Sequence, residues 1–178
     1  MIHYTRPIVF HAGFNLIELM AIVAITSILA TIAVPSFKAV QLQIRASSNI
    51  SAIQQALYLA RNMAINYGTR VTVCPLEHRN CGRNWQAGFS IFTDSGQTNF
   101  LDSQDRVLKV INAFNTNDIV QYNRKAIRFQ PDGLASGTNG TFTYCPEKFD
   151  SPYSKAVIIN QAGRVRLSKK RKIICANK

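Results

Sequence analysis

The chain has 178 residues and a formal net charge of +12, from 21 Lys and Arg against 9 Asp and Glu. This length argues against several large domains, and it leaves roughly 110 residues for one compact domain with its own core. The charge is uneven: residues 163–178 carry seven bases and no acid, whereas the preceding 162 residues carry a net charge of only +5. Clustered charge of this kind predicts attraction to polyanions.

The N-terminal region contains a stretch suited to a lipid bilayer. The 21 residues from Phe14 to Val34 include one charged side chain, that of Glu18. Roughly 20 apolar residues span a hydrocarbon core, and a carboxylate there costs at least about 2.5 kcal/mol, so it is usually kept for a function. Arg6 precedes the stretch and predicts a cytoplasmic N-terminus. An ordinary signal anchor or secretory signal peptide is the alternative, but a secretory peptide has a shorter core, followed by its cleavage site.

The periodicity beyond Pro35 predicts that one helix continues as far as Tyr67, with Gly68 as its stop. Apolar residues recur there at spacings of three and four, namely Ile50, Ile53, Leu57, Ala60 and Ala64. One apolar stripe suits packing against a sheet, whereas the first half of the helix, apolar on all sides, suits a membrane or a fibre core.

Short β segments separated by turn signals follow Gly68. The predicted strands are Thr69–Cys74, Phe89–Thr93, Val107–Asn112, Ile119–Tyr122, Ala126–Gln130, Thr141–Cys145, Lys155–Asn160 and Arg164–Ser168. One long helix followed by many antiparallel strands predicts an α+β domain, in which the helix packs on an antiparallel sheet.

Four cysteines lie in the C-terminal part: Cys74, Cys81, Cys145 and Cys175. The predicted topology exports this part, and an even number of cysteines in an oxidising compartment favours disulfides. Three pairings are possible. We favour Cys74–Cys81, which closes a short loop, and Cys145–Cys175, which ties the chain end to a strand. A four-cysteine zinc site is the alternative, although the usual paired C-x2-C spacing is absent.

The string Gly13-Phe14-Asn15-Leu16-Ile17-Glu18-Leu19 resembles the class III signal of type IV prepilins and pseudopilins. In that family the cleavage site precedes the apolar run, as the Gly13–Phe14 junction does here. The resemblance implies that a prepilin peptidase cuts after Gly13 and methylates the new N-terminal Phe14. It also implies that Glu18 pairs with the N-terminus of a neighbouring subunit during assembly.

Longer stretches resemble the FimT and GspH-type minor pilins, and FimT most: Ile53–Arg61, Thr69–Cys74, Ile127–Gly133 and Ile158–Arg166. The resemblance implies a type IV pilin-like fold, a single-pass inner-membrane protein with its domain in the periplasm, and assembly with other pilins into an extracellular pilus. The expected divisions are a leader (1–13), a transmembrane and assembly helix (14–35), its amphipathic continuation (36–68) and a β-rich domain with a basic tail (69–178).

In FimT proteins a C-terminal Gly-Arg-x-Arg motif is associated with DNA binding during natural transformation, and Gly163, Arg164 and Arg166 fill it here. On physical grounds, strand alternation places both arginines on one face and Val165 and Leu167 on the buried one. Guanidinium groups about 7 Å apart then point outward, and each suits a phosphate because its planar fork donates two parallel hydrogen bonds. Gly163 is predicted to form the turn that aims the strand.

Lys169, Lys170, Arg171 and Lys172 extend the positive field. They are predicted to add affinity for DNA without sequence preference, because phosphate contacts do not read bases. The alternative is a solvated basic tail with no ligand. If the protein does not bind nucleic acid, it is a structural or priming pilin, or a pseudopilin of type II secretion.

Other candidates receive blander interpretations. Arg124, Lys125 and Arg128 are interpreted as the polar face of an exposed strand rather than a second basic patch, and Trp85 as a packing residue. We expect no enzyme, cofactor or metal, since His78 is the one histidine beyond the leader and no phosphate loop or metalloprotease motif occurs.

Overall fold

The computed structural model describes residues 15–135 and 137–177. The predicted cleavage site, Gly13–Phe14, lies outside the described residues. The chain divides into two compact units with their boundary between Val40 and Gln41. The boundary falls within the long N-terminal helix.

Helix α1 runs from Leu16 to Tyr67 and continues through Pro35, as predicted. As far as Val40 its large apolar side chains are exposed. Within the described residues, α1 is long and apolar enough to cross a membrane. Glu18 lies in its first turn, where the positive end of the helix dipole favours a carboxylate.

Beyond the boundary, α1 contributes one buried face to the core of the second unit. The buried residues of the helix are Ala46, Ile50, Ile53, Ala56, Leu57, Ala60 and Ala64. They include every member of the predicted stripe, so the 3.6-residue periodicity identified the packed face correctly. Burial of each isoleucine or leucine contributes about 1.5–3 kcal/mol.

Ten strands and one 3-10 turn follow the helix in the described part of the chain. They are β1 (Val71–Cys74), β2 (Leu76–Glu77), β3 (Asn80–Cys81), the 3-10 turn Trp85–Ala87, β4 (Phe89–Thr93), β5 (Val107–Ile111), β6 (Ile119–Tyr122), β7 (Ile127–Phe129), β8 (Gly140–Cys145), β9 (Lys155–Ile159) and β10 (Val165–Leu167). All eight predicted strands are present, some with shorter bounds. The fold is the predicted α+β arrangement, with one long apolar helix packed on antiparallel sheet.

The strands form two four-stranded antiparallel sheets and a small hairpin. The first sheet has the order β5-β4-β1-β7, and the second has the order β10-β9-β8-β6. Buried aromatic rings pack between the two sheets. The ring centroid of Phe142 on β8 lies 5.9 Å from that of Phe89 on β4 and 5.2 Å from that of Trp85. Trp85 is therefore a packing residue, as interpreted from the sequence.

The hairpin of β2 and β3 was not predicted. Its turn places His78 and Arg79 at positive φ, 48° and 69°. Consecutive positive φ angles are typical of a type I′ turn, which usually carries Asn-Gly or Asp-Gly. The sequence gives no such signal here, and the adjoining disulfide Cys74–Cys81 closes the hairpin instead.

The four cysteines form two disulfides, Cys74–Cys81 and Cys145–Cys175, which is the pairing favoured from the sequence. The alternative of a four-cysteine zinc site is wrong, because disulfide sulfurs offer no thiolate to a metal. The second bridge joins residues 30 positions apart and holds the chain end on β8.

Candidate nucleic-acid interface

The turn Gln161-Ala162-Gly163 packs against a second turn, Pro131-Asp132-Gly133. Both glycines are buried and adopt positive φ, 72° at Gly163 and 79° at Gly133. A Cβ atom at Gly163 would meet the carbonyl oxygen of Gly133 closer than van der Waals contact allows. The backbone N–H of Ala135 donates to the carbonyl oxygen of Gln161 at 3.0 Å, which joins the two turns. Glycine is required here by both conformation and space.

Arg61 of α1 fastens both turns to the helix. Its Nε donates to the carbonyl oxygen of Gly133 at 3.2 Å, and its Nη2 donates to that of Ala162 at 3.4 Å. One turn of helix earlier, the Tyr58 hydroxyl donates to the carbonyl oxygen of Val165 at 2.9 Å. Since β10 is an edge strand, that carbonyl has no strand partner. The helix thus fixes the backbone that carries the predicted arginine motif.

Arg164 and Arg166 are both exposed. The strand begins at Val165 rather than at the predicted Arg164, but the N–H of Asn160 donates to the carbonyl oxygen of Arg164 at 3.1 Å, so the pairing extends by one residue. Arg166 pairs with Ile158, on the face of β9 that points away from the core. Two residues apart on an extended backbone, both arginines fall on this outer face.

Leu167 departs from the prediction. It pairs with the buried Val157 and so faces the core side, yet 44% of it is exposed. The reason is its position at the sheet edge, where no further strand covers it. The inward-facing residue of this segment is Val165, which is 2% exposed.

The chain after β10 crosses the outer face of the second sheet. We call residues 169–177 the basic strap. It begins at the edge strand β10, where the N–H of Ser168 donates to the carbonyl oxygen of Ala156 at 2.8 Å. A cavity of about 240 Å³ lies between strap and sheet, lined on the strap side by Lys170 and Lys172 and on the sheet side by Thr141 and Ile158, among others.

The C-terminal end of the basic strap is fixed at β6 and β8, towards the edge of the sheet opposite β10. Cys175 is buried and bonded to Cys145, and its N–H donates to the carbonyl oxygen of Phe149 at 2.9 Å. The Gln121 side-chain amide bonds the backbone of Ala176 twice. Its Nε2 donates to the carbonyl oxygen at 2.8 Å, and its Oε1 accepts from the backbone N–H at 2.9 Å. The segment is therefore held at both ends, while its bases stay exposed between them.

The charges of this surface share one sign. Exposed bases of the motif and the basic strap are Arg164, Arg166, Lys169, Lys170, Arg171 and Lys172. No acidic residue occurs from residue 163 to residue 178. Cations held on a strapped backbone form a surface suited to an extended polyanion. Gly163 is buried, so its part is conformational.

A buried polar network joins the helix to the second sheet beside the strap's anchor. The Tyr144 hydroxyl donates to the Asp118 carboxylate, which also accepts from Arg45 at 2.8 Å. Asn49 donates to the Tyr144 hydroxyl at 2.7 Å. Burial, reinforced by Asp118, raises the pKa of Tyr144 above its ordinary value. Tyr144 therefore remains a neutral donor, and the network keeps β8 in place against α1.

Sequence reasoning missed the residues that hold this surface. Arg61, Tyr58 and Gln121 act through backbone carbonyls and amides far away in sequence, and neither their spacing nor their type marks such a contact. Their positions in the sequence pointed the other way. Polar residues beside the apolar stripe or on an edge strand are expected to face solvent rather than to bond another part of the chain.

Residues 49–163 match the model of a family described as type II transport protein GspH. This chain belongs to the GspH family. The match includes the second part of α1, the strands β1 to β9 and Gly163, and it ends one residue before Arg164. The arginines and the basic strap of this protein thus lie beyond the region that the family model covers.

Two crystal structures of the type IV minor pilin FimU from Pseudomonas aeruginosa, strain PAO1, share the fold. One has a TM-score of 0.56, with 69% of this chain and 87% of the FimU chain covered. The other has a TM-score of 0.53, with 68% and 91% covered. Sequence identity is 19% in both, so the likeness is one of fold. No curated protein sequence matches the chain significantly.

Proposed function

We propose that this GspH-family protein is a minor type IV pilin that binds DNA without sequence preference and promotes DNA uptake in natural transformation. The DNA-binding surface consists of Arg164, Arg166 and the basic strap, with Gly163 setting the turn. The resemblance of the sequence to FimT proteins, in which a C-terminal Gly-Arg-x-Arg motif is associated with DNA binding, supports the proposal.

The observation that carries the proposal is the path of the basic strap. A disulfide at Cys175 and two hydrogen bonds between the Gln121 side chain and the Ala176 backbone hold the basic strap across the sheet. Fixing both ends lowers the entropy that the lysines lose when a ligand orders them. The arrangement therefore favours contact with successive phosphates over a diffuse positive field.

Phosphate chemistry explains the division of labour within the surface. Arg164 and Arg166 can each form two parallel hydrogen bonds to one phosphate. Lys169, Lys170 and Lys172 act as point charges that release counterions from the nucleic acid. No aromatic residue lies in sequence beyond Tyr153, so stacking of bases has no platform on the strap. Backbone binding without base readout follows.

The proposal includes the membrane and assembly steps. Prepilin peptidase cleaves after Gly13 and methylates Phe14. Before assembly the helix spans the inner membrane once, with the domain in the periplasm. In the pilus, Glu18 pairs with the N-terminal amine of a neighbouring pilin, which gives a partner to a carboxylate that is otherwise costly among apolar residues.

A second candidate function is that of a pseudopilin in type II secretion. The observation that favours it is the family itself, whose description is a type II transport protein, together with a match that ends before Arg164. Assembly into a pseudopilus does not require the six exposed bases of residues 164–172. The two functions therefore differ in whether that surface has a ligand.

Natural transformation in living cells tests the proposal. Arg164→Gln with Arg166→Gln should leave the number of pili unchanged, counted by electron microscopy, while DNA uptake falls at least about tenfold. The matched control is Arg106→Gln with Lys109→Gln, which removes the same charge from exposed positions at β5 of the other sheet. Equal uptake in both variants, with normal pili, would support the secretion or structural role instead.

A further inference from the structure

A second cluster of bases surrounds a small cavity away from the strap. The cavity has a volume of about 150 Å³ and lies where the 94–105 loop meets β7. Its lining comprises Asn99, Arg124, Lys125, Ala126, Arg128, Gly137 and Thr138. Three of these residues are cations and none is acidic, so the cavity has a strongly positive lining.

Local contacts fix the rim of this cavity. Trp85 donates its ring N–H to the carbonyl oxygen of Arg124 at 3.2 Å, and the Arg124 Nε donates to the carbonyl oxygen of Asn139 at 2.8 Å. The Thr138 hydroxyl accepts from the backbone N–H of Arg128 at 3.0 Å and can donate to the backbone carbonyl oxygen of Arg128 at 3.2 Å. The site is therefore built before any ligand arrives.

Two polar atoms of the lining are buried without a partner among the described residues, the Nε of Arg128 and the Oδ1 of Asn99. A buried donor left unsatisfied destabilises the folded protein, and more so when it is charged. Rotation of the Asn99 carboxamide by 180° exchanges its oxygen for an N–H₂ group, which is a donor. With that rotation, Asn99 and Arg128 both provide hydrogen-bond donors in the positively charged lining of the cavity.

We infer that this cavity binds a phosphate group. An oxyanion satisfies the orphaned Arg128 donor, accepts from Asn99 and neutralises part of the charge of Arg124 and Lys125. Of the cations in the lining, Arg128 has a buried guanidinium nitrogen that is costly to leave unsatisfied, whereas Arg124 and Lys125 are exposed. The interpretation of these bases as the polar face of an exposed strand omits the burial of Arg128 Nε. This site does not rest on the proposed binding of DNA by the strap.

Equilibrium dialysis of the full-length protein in a non-ionic detergent, with radiolabelled inorganic phosphate at low salt, tests the inference. Wild type should bind one phosphate at this site, saturably. Arg124→Gln with Arg128→Gln should lower the affinity at least about tenfold, since the variant loses two charged hydrogen-bond donors to the phosphate. Arg106→Gln with Lys109→Gln removes the same charge from another surface and should bind as wild type does.

A second variant guards against loss of structure at the half-buried Arg128. Arg124→Gln with Lys125→Gln changes two exposed residues and should also lower the affinity, with an unchanged circular dichroism spectrum. Equal phosphate binding by all variants, or an equal loss in the Arg106 and Lys109 control, would overturn the inference, because a general positive field would then explain the binding.

Competition identifies the source of the phosphate. If the site takes a backbone phosphate of nucleic acid, an oligonucleotide without terminal phosphates displaces the labelled phosphate. If it serves a small free anion, the label stays bound while unlabelled inorganic phosphate displaces it. Either result supports the cavity as a phosphate site, and the two results distinguish the ligand without reference to DNA uptake.

Discussion

Gly163 lies against the carbonyl oxygen of Gly133, with no room for a methyl group between the two turns. Arg61 adds to the confinement, because its Nε would be 3.2 Å from a Cβ atom at Gly163. The backbone that presents Arg164 is thus set by contacts between parts of the chain that are 30 and 102 residues from Gly163. We expect the candidate interface to respond to changes at residues that never touch a ligand.

Gly163→Ala should destabilise the protein more than an ordinary glycine substitution at positive φ. Gly68→Ala is the matched control, since Gly68 has φ 58° and open space around it. The control pays a conformational cost of about 1–2 kcal/mol, whereas Gly163→Ala adds a steric conflict worth about 1–3 kcal/mol. Urea denaturation monitored by circular dichroism measures both. Equal losses would show that the two turns can separate without cost.

Arg61→Lys should weaken DNA binding about threefold to tenfold, because it keeps the charge but loses the two hydrogen bonds that hold the turns. The salt dependence of binding should stay as in wild type, since the number of phosphates contacted does not change. Fluorescence anisotropy with a labelled duplex measures both quantities. A lower salt dependence would mean instead that Arg61 itself contacts a phosphate.

The packed half of the fold was accessible from the sequence because its rules are local. A stripe such as Ile50, Ile53 and Leu57 follows from helical periodicity, and strand segments follow from alternation and turn residues. The division into two sheets, the His78–Arg79 turn and the exposure of Leu167 were not accessible. Each depends on which strand is a neighbour, and neighbours are chosen by contacts across the whole chain.

The basic strap should need its disulfide. Replacing Cys145 and Cys175 by Ser opens a loop of 30 residues and should lower stability by roughly 3–4 kcal/mol in the chain-entropy model. It should also weaken DNA binding, because the strap then loses its anchor. The control pair, Cys74→Ser with Cys81→Ser, opens a span of 7 residues, with a cost of roughly 2–3 kcal/mol. That pair should leave DNA affinity as it is, and equal affinities for both variants would contradict an anchoring role.

Stability should fall at alkaline pH through the buried tyrosines. Burial raises the pKa of Tyr144 above its unfolded value of about 10, so the contribution is fully present below pH 10. Above that pH the unfolded chain releases a proton that the folded chain keeps, and the free energy of unfolding decreases. Tyr144→Phe should make this decrease shallower by about 1.4 kcal/mol per pH unit. Denaturation from pH 9 to 11.5 checks the slope, and an unchanged slope would show that Tyr144 ionises in the folded state.

The candidate interface was predictable in composition but not in construction. The motif Gly163, Arg164, Arg166 and the bases that follow are visible as letters, since charge clusters need no fold to be counted. Their support is not visible, because Arg61 and Gln121 reach them across 101 and 55 residues to bond backbone atoms. The partners in these contacts are backbone carbonyl and amide groups. Because such groups occur along the whole chain, the sequence does not show which of them a distant side chain will bond.

The salt dependence of DNA affinity tests the central claim most directly. Fluorescence anisotropy of a labelled duplex, titrated with the protein from about 50 to 200 mM salt, gives the slope of log K against log salt. If Arg164 and Arg166 each neutralise one phosphate, Arg164→Gln with Arg166→Gln should reduce the slope by about two units and weaken all duplex sequences alike. The Arg106→Gln and Lys109→Gln control should keep the wild-type slope. An unchanged slope in the correctly folded double variant would contradict the account and leave the strap without a nucleic-acid ligand.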